Sequence, residues 1–240
     1  MMAVETADRA YMLEDQRRMA LAGRYFAWLA RLVLPVVGRR VIEVGCSVGN
    51  FTGTLLDREA IIAVDIADWA VDAVRKRYPG RTNLYPVACD LAAENFRALA
   101  RFGADTCVCL NVLEHIEDDR AALGRMASVV GQGGTIVLLV PAFAALYGPI
   151  DRKLGHYRRY SRSAIGELAA SAGLTVRRAH YVNLAGFFGW WANAHLLRRE
   201  AQSEGQIRFF DRWVVPFQSR LEAVVPPPFG QSLFVVLGKP

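Results

Sequence analysis

Acidic residues and glycines stand where successive short apolar runs of this chain end. Glu43 lies in the first run, VIEV, and Gly45 and Gly49 follow it in a tight turn. We predict that the next residues, 51–57, begin a helix. A strand, a glycine turn and a helix in this order present backbone N–H groups and the positive end of a helix to a ligand. The sequence therefore predicts a site for a charged ligand at this turn.

Three further polar residues follow later runs in the same way. Asp65 ends the second run, Asp90 follows the third, and Asn111 follows the fourth. Asp65 lies about twenty residues beyond the turn, where an acidic side chain accepts hydrogen bonds from ribose hydroxyls. Ligands of open α/β sheets bind beyond the carboxyl ends of the strands. We therefore expect these positions to surround one ligand.

The elements that position these residues alternate along the chain. Apolar runs such as IIAV and TIVLLV suit strands that are covered on both faces. Alternating strands and helices imply parallel βαβ units. We predict helices at 6–37, 50–57, 68–78, 94–102, 118–130 and 163–172, and strands at 40–44, 60–65, 83–89, 105–110, 135–140, 174–182 and 232–237. The last two strands lack βαβ spacing, which predicts an antiparallel pair at the end of the chain.

Composition limits the class of protein. The chain has 240 residues, 53% of them hydrophobic, and a formal net charge of +6, which permits anionic partners without requiring them. Cys107 and Cys109 alternate along a predicted core strand and should share one face, so we expect free thiols in a reducing compartment. The first residues contain no apolar signal region. The longest candidate membrane segment, 184–197, is shorter than the roughly 20 residues that span a bilayer.

Two common nucleotide-binding motifs do not fit the turn. The dinucleotide fingerprint requires three glycines, whereas here Gly45 is followed by Ser47 and Asn50. A phosphate loop requires Lys and Ser or Thr after the second glycine, and none follows Gly49. A NAD-dependent oxidoreductase is therefore disfavoured.

The pattern Glu43-x-Gly45-x-Ser47-x-Gly49 resembles motif I of the class I S-adenosylmethionine-dependent methyltransferases, with serine at the middle glycine. Residues 110–115, LNVLEH, are similar to the segment of that family that follows the fourth strand. Residues 146–161, which contain LGHYRRYS, resemble a bacterial subgroup that often accompanies glycan, lipid or natural-product biosynthesis. With motif I, the resemblance covers nearly the whole chain.

The resemblance implies an α/β fold, Rossmann-like, with a seven-stranded mostly parallel sheet, a C-terminal antiparallel strand pair and helices on both faces. It implies a helical cap over the cofactor at 1–38, in which Tyr11 and Arg17 or Arg18 could approach the ligand. A methyltransferase domain would follow at 39–240, with an acceptor-site insertion around 183–229. It also implies S-adenosylmethionine as cofactor. From the expected free thiols and the absence of an apolar signal region we expect a cytoplasmic location. The cofactor residues implied are Glu43, Gly45, Cys46, Ser47, Gly49, Asp65, Ile66, Asp90, Leu91 and Asn111.

The acceptor side is predicted from the irregular segment 141–163. An alcohol acceptor benefits from a general base, for which we propose His156 first and His115 second. Arg158 belongs to a basic cluster with Arg159 and Arg162, which could clamp an anion, bind nucleic acid or lie on a solvated loop. The aromatic cluster 187–191 could roof an apolar acceptor, form a dimer interface or contact a membrane. The acceptor residues predicted are Tyr147, Tyr157, Arg158 and Trp190.

Several alternatives stay open. In some small-RNA and ubiquinone-pathway methyltransferases an E-x-x-E-H segment holds a divalent ion; here Glu114 and His115 match it, but Asn111 takes the first position. Losing one carboxylate weakens a site for a hard cation, so we expect no metal. We expect methyl transfer to a small-molecule, glycan or lipid-linked acceptor, at oxygen. The alternatives are an RNA or tRNA methyltransferase and a non-catalytic S-adenosylmethionine-binding protein.

Overall fold

A seven-stranded sheet organises the chain. The structure is a computed structural model that describes residue 14, residues 16–198 and residues 201–240. The strands are β1 (Arg40–Val44), β2 (Ala60–Asp65), β3 (Leu84–Ala88), β4 (Ala104–Leu110), β5 (Val130–Pro141), β6 (Thr175–Val182) and β7 (Ser232–Gly238). Their order is β3-β2-β1-β4-β5-β7-β6. Strands β1 to β5 pair in parallel, and β7 is antiparallel to β5 and β6. The predicted fold class and C-terminal strand pair are confirmed.

Helices cover both faces of the sheet. They are α1 (Gly23–Val33), α2 (Asp68–Arg77), α3 (Asp119–Val129), α4 (Pro149–Lys153), α5 (Arg162–Ser171), α6 (Leu184–Ala192), α7 (Glu204–Phe209) and α8 (Val215–Val224). Tighter 3₁₀ turns occupy Thr52–Leu55 and Glu94–Phe102. None of the helices in the described ranges is long and apolar enough to cross a bilayer.

The structure corrects two helix predictions. The segment 50–57 holds only a 3₁₀ turn, because glycines at 49 and 53 lower its helical propensity. Both glycines lie against Tyr78; a side chain at Gly53 would collide with its hydroxyl, and one at Gly49 would be tightly packed against its ring. The N-terminal helical pattern breaks at residues 20–22 before α1 begins at Gly23.

Two apolar layers enclose the central strands. One layer contains Cys107 and Cys109, and the other contains Val108 between them. The predicted shared face of the two cysteines is therefore confirmed, and both are free thiols. Strand β1 pairs with β2 on one side and β4 on the other. Its carboxyl end is the switch point at which ligands of such sheets bind.

Candidate cofactor and acceptor site

A cavity of about 1440 Å³ lies at the carboxyl ends of β1 to β4. The turn after β1 and the ends of β2, β3 and β4 line one part of it. The segment 150–159, helix α6 and residues 202–211 line another part. Gln16 and Met19 also contribute, so the segment before α1 borders the cavity. Tyr11, which the sequence places near the ligand, lies outside the described residues.

The turn after β1 has a backbone that suits glycine. Gly45 and Gly49 have φ angles of 76° and 79°, and Ser47 also has a positive φ of 47°. A side chain at Gly45 would collide with Val112. Ser47 therefore replaces a glycine at a left-handed position, which is uncommon for serine. Its hydroxyl oxygen is buried without a hydrogen-bond partner among the described residues.

Asp65 and Asp90 brace the loops that border the cavity. The two carboxylate oxygens of Asp65 accept hydrogen bonds from the N–H groups of Ser47 (2.9 Å) and Ala67 (3.0 Å). Asp90 accepts one from the N–H of Ala92 at 2.7 Å. Burial raises the pKa of Asp65, and the two backbone bonds oppose this shift. Because a carboxylate oxygen has more than one lone pair, both residues can accept a further hydrogen bond from a ligand.

Glu43 is the third carboxylate at this cavity. Its side chain is buried, and Oε2 accepts a hydrogen bond of 2.7 Å from the hydroxyl of Thr52. Burial raises the pKa of Glu43 to about 8 although this bond lowers it. The structure thus brings Glu43, Asp65 and Asp90 to one cavity.

Most of the other predicted cofactor residues line the same cavity. Gly49 does not: its carbonyl accepts a hydrogen bond of 2.8 Å from the hydroxyl of Tyr78, which ties the turn to the end of α2. Asn111 has a positive φ of 54°. The residues at the cavity are Glu43, Gly45, Cys46, Ser47, Asp65, Ile66, Asp90, Leu91 and Asn111.

Glu114, His115 and His156 converge on the acceptor side. One ligand atom from each lies within 4.8 Å of the others. The rings of His115 and His156 are nearly perpendicular, with centroids 4.6 Å apart. Burial, with a smaller effect of His156, lowers the pKa of His115 to about 4, so its imidazole is neutral near neutral pH. Imidazole nitrogens and a carboxylate oxygen are donor atoms that can hold a divalent cation.

Glu114 is the most unusual member of this cluster. It is 1% exposed, and neither carboxylate oxygen has a hydrogen-bond partner among the described residues. Burial raises its pKa to about 8, so the side chain carries a proton near neutral pH unless a cation replaces that proton. Sequence reasoning did not select Glu114 as a site residue, although it directly precedes His115.

Asp151 orients the second histidine. It is fully buried and accepts hydrogen bonds from His156 Nδ1 (2.9 Å), Arg159 Nε (2.9 Å) and Trp190 Nε1 (3.1 Å). Burial opposes ionisation, but the bonds from His156 and Arg159 lower the pKa of Asp151 to about 2. An ionised carboxylate only accepts hydrogen bonds, so Nδ1 of His156 carries a proton and Nε2 is left to accept one. Sequence reasoning missed Asp151, whose only signal was its spacing to His156 and Arg159.

The predicted acceptor residues divide into two groups. Tyr157 and Trp190 line the cavity. Tyr147 instead donates a hydrogen bond of 2.7 Å to the carbonyl of His156, and Arg158 pairs with Asp119 at 2.7 Å. Neither Tyr147 nor Arg158 lines the cavity, and the partner of Arg158, Asp119, lies outside it as well.

The rest of the basic cluster is also engaged internally. Arg159 is buried against Asp151, and Arg162 lies 4.5 Å from the ring of Tyr181. In the aromatic cluster, Phe187 packs against Phe143 and Phe229. Only part of each cluster therefore faces the cavity.

Comparison with known proteins finds similarity to methyltransferases. A family model described as a methyltransferase domain matches residues 14–179. An uncharacterised methyltransferase of Mycobacterium bovis is 28% identical over 138 residues, which are 57% of this chain and 53% of that protein. The chain thus spans about half the length of the curated relatives it matches.

Two solved structures share the fold. The methyltransferase in a complex with the Trm112 activator from Haloferax volcanii has a TM-score of 0.66 and 17% identity, covering 97% of this chain and 95% of that one. Magnesium protoporphyrin IX methyltransferase of Synechocystis PCC 6803, solved with S-adenosylhomocysteine, has a TM-score of 0.57 and 14% identity, covering 94% and 87%. At these identities the likeness shows the fold. Because the family model spans most of the chain, this protein belongs to the methyltransferase-domain family, the class I fold that uses S-adenosylmethionine.

Proposed function

We propose that this chain transfers the methyl group of S-adenosylmethionine to a hydroxyl of a small-molecule, glycan or lipid-linked acceptor. The bound cofactor supplies a methyl group that its sulfonium already makes electrophilic. One observation carries the proposal: His115 and His156 meet at the cavity that the Gly45–Ser47 turn also lines. A proton acceptor and the turn proposed to hold the cofactor thus line one cavity.

The residues present fit the cofactor. The strand ends supply carboxylates for the hydroxyl and amino donors of a nucleoside, with Asp65 for the ribose and Asp90 for the adenine amino group. The buried Ser47 hydroxyl and the Glu114 carboxyl have no partner among the described residues, so polar atoms are available to a ligand.

His156 is the proposed general base. The carboxylate of Asp151 accepts from Nδ1 and leaves Nε2 free to accept a proton. In catalytic triads a buried carboxylate holds a histidine in the required tautomer in the same way. His115, whose pKa is lowered to about 4, is a weaker base and packs edge-on against His156.

The acceptor side favours an apolar, non-nucleic-acid acceptor. Tyr157 and Trp190 contribute aromatic surface to the cavity, whereas Arg158 and Arg159 are paired with carboxylates. A polyphosphate chain would need unpaired cations there. The LGHYRRYS segment supports membership of the bacterial biosynthetic subgroup, and the free cysteines support a reducing, cytoplasmic location.

The test is formation of S-adenosylhomocysteine from S-adenosylmethionine with pools of hydroxylated glycans, lipids and small metabolites. We expect turnover with at least one pool. His156→Asn should lower kcat by about 10²- to 10⁴-fold, the usual contribution of a general base, while calorimetry shows unchanged binding of S-adenosylhomocysteine. His180→Asn is the matched control because His180 packs against Phe234 on β7, outside the cavity. Cofactor binding without turnover on any pool would instead indicate a binding protein.

A further inference from the structure

The C-terminal helix is amphipathic, with its apolar stripe facing outward. The C-terminal helix is the continuous segment that consists of α7, the π-helical turn Phe210–Val214 and α8. Residues spaced by four, four, four and three lie on one side of such a helix. Half or more of each of these side chains is exposed: Phe209, Trp213, Phe217, Leu221 and Val224. Soluble monomers rarely expose an apolar stripe of this length.

The opposite side of the C-terminal helix already has its partners. Ile207, Val215 and Gln218 are buried against the body of the protein, and Gln218 accepts a hydrogen bond from the N–H of Ala185 in α6. The outward stripe is therefore a second apolar face. It is not the face that holds the helix in place.

On the C-terminal helix the basic side chains lie on the exposed side, and most acidic side chains lie on the side that packs against the protein. Arg208, Arg212 and Arg220 are exposed beside the apolar stripe. Asp211 turns inward and accepts hydrogen bonds from the N–H groups of Arg24 and Tyr25. Glu222 does the same for Asn183 and Leu184. Of the acidic residues in this helix, Glu204 alone is exposed, at its first residue and 3.6 Å from Arg208.

We propose that the outward face of the C-terminal helix docks on an anionic lipid surface. Exposed Trp and Phe flanked by Arg suit the boundary between acyl chains and anionic headgroups. Self-association fits less well, because a two-fold interface would bring the three arginines of each copy against the same patch of the other. The net charge of +6 adds to this repulsion.

Docking also has a consequence for the proposed reaction, and this part rests on the proposed function. Gln206, Ile207 and Phe210 of the same helix line the cavity. One face of the helix thus borders the acceptor space while the other meets the lipid, and a helix is only about 10 Å thick. A lipid-linked hydroxyl acceptor can then reach the cavity from the surface on which the protein rests.

The experiment is co-sedimentation of the full chain with vesicles of phosphatidylcholine alone and of phosphatidylcholine mixed with phosphatidylglycerol. We expect binding to the anionic vesicles that weakens with added salt. Trp213→Ser with Phe217→Ser should reduce the bound fraction about tenfold or more. Replacing Arg208, Arg212 and Arg220 by Gln should remove the preference for phosphatidylglycerol. The matched controls are Val176→Ser on β6 and Arg120→Gln on α3, both exposed at other sites.

Two results would overturn the docking proposal. One is a wild-type chain that does not sediment with anionic vesicles, or that binds no better than the Trp213→Ser, Phe217→Ser variant. The other is a dimer in light scattering that this variant dissociates, which would make the stripe an interface between two copies. Calorimetry with S-adenosylhomocysteine, measured on the same samples without vesicles, tests the proposed function separately. Loss of lipid binding with intact cofactor binding thus rejects only the docking.

Discussion

His156 Nδ1 lies 2.9 Å from Oδ1 of Asp151, whose side chain is fully buried. The same oxygen accepts from Arg159 Nε at 2.9 Å. The carboxylate is thus shared between a titratable ring and a permanent cation, and both residues line the cavity. The hydrogen bond from His156 and the charge of Arg159 keep Asp151 ionised, and the ionised Asp151 decides which nitrogen of His156 carries a proton.

We expect Asp151→Asn to lower kcat by about tenfold to a hundredfold or more, because an amide can hold His156 in the wrong tautomer. The pH dependence of kcat should also change. The measurement is the pH dependence of kcat together with calorimetry of S-adenosylhomocysteine binding. A variant with normal kcat and an unchanged profile would rule out this positioning role. Unchanged cofactor affinity would show that the variant still folds.

The pKa of Glu43 makes stability depend on pH. Its pKa in the folded chain is raised to about 8, above its ordinary value, so folding favours the protonated form. The resulting stabilisation is complete at acidic pH, below the ordinary pKa, and is lost as pH rises towards 8. Glu43→Gln should remove this dependence and make the variant more stable than wild type above pH 8, by on the order of a few kcal/mol.

Thermal unfolding of the ligand-free chain at about pH 5 and about pH 9 measures this difference. Glu167→Gln, at an exposed position on α5, is the control and should leave the pH dependence of Tm as it is. Parallel Tm curves for Glu43→Gln and wild type would contradict the expectation.

Substitutions of Ser47 measure how much its positive φ lowers the free energy of unfolding and whether its hydroxyl contacts the cofactor. A non-glycine residue at positive φ is strained by about 1–2 kcal/mol, so Ser47→Gly should raise the free energy of unfolding by about 1 kcal/mol, less the added freedom of the unfolded chain. Ser47→Ala keeps the strain and removes only the hydroxyl. If the alanine variant binds S-adenosylhomocysteine as wild type does, the hydroxyl is not a ligand contact. Weaker binding by both variants would instead assign the buried hydroxyl to the cofactor.

Substitution of Glu114 and treatment with a chelator show whether its carboxyl group holds a proton or a metal cation. With a pKa near 8, Glu114 is protonated near neutral pH, so the isosteric Glu114→Gln should change Tm little at pH 7. On the same basis, chelator treatment should leave turnover unchanged. Turnover that a chelator abolishes and Zn²⁺ restores would reverse this expectation, because a bound cation requires the carboxylate form.

Much of the cofactor half could be predicted from the chain alone. Glu43, Asp65 and Asp90 lie in or directly after consecutive apolar runs, and in parallel βαβ units the carboxyl ends of strands share one edge. Their convergence at one cavity therefore followed from element order. The motif also indicated a sharp turn, and Gly45 indeed has positive φ. Local sequence patterns are sufficient to predict this edge because the same parallel βαβ connection joins successive strands.

The acceptor half depended on contacts between distant segments. Arg158 and Arg159 are neighbours in sequence, yet one pairs with Asp119 of α3 and the other is buried against Asp151. Gly49 fits the motif but packs against Tyr78 instead of lining the cavity. Whether a side chain is buried, and which residue it pairs with, depends on how helices and strands that are distant in sequence pack together.

By itself, then, the sequence determined the alternation of strands and helices along the chain, the glycine turn and the carboxylates at the strand ends, because these follow from local periodicity and parallel connections. Only the tertiary structure decided that the Glu114 carboxyl is buried with no hydrogen-bond partner in the described part of the chain, that Asp151 holds His156, and that Trp213 points away from the core. The physical reason is that desolvation and hydrogen-bond pairing depend on which distant segments pack together, and residue spacing does not encode that.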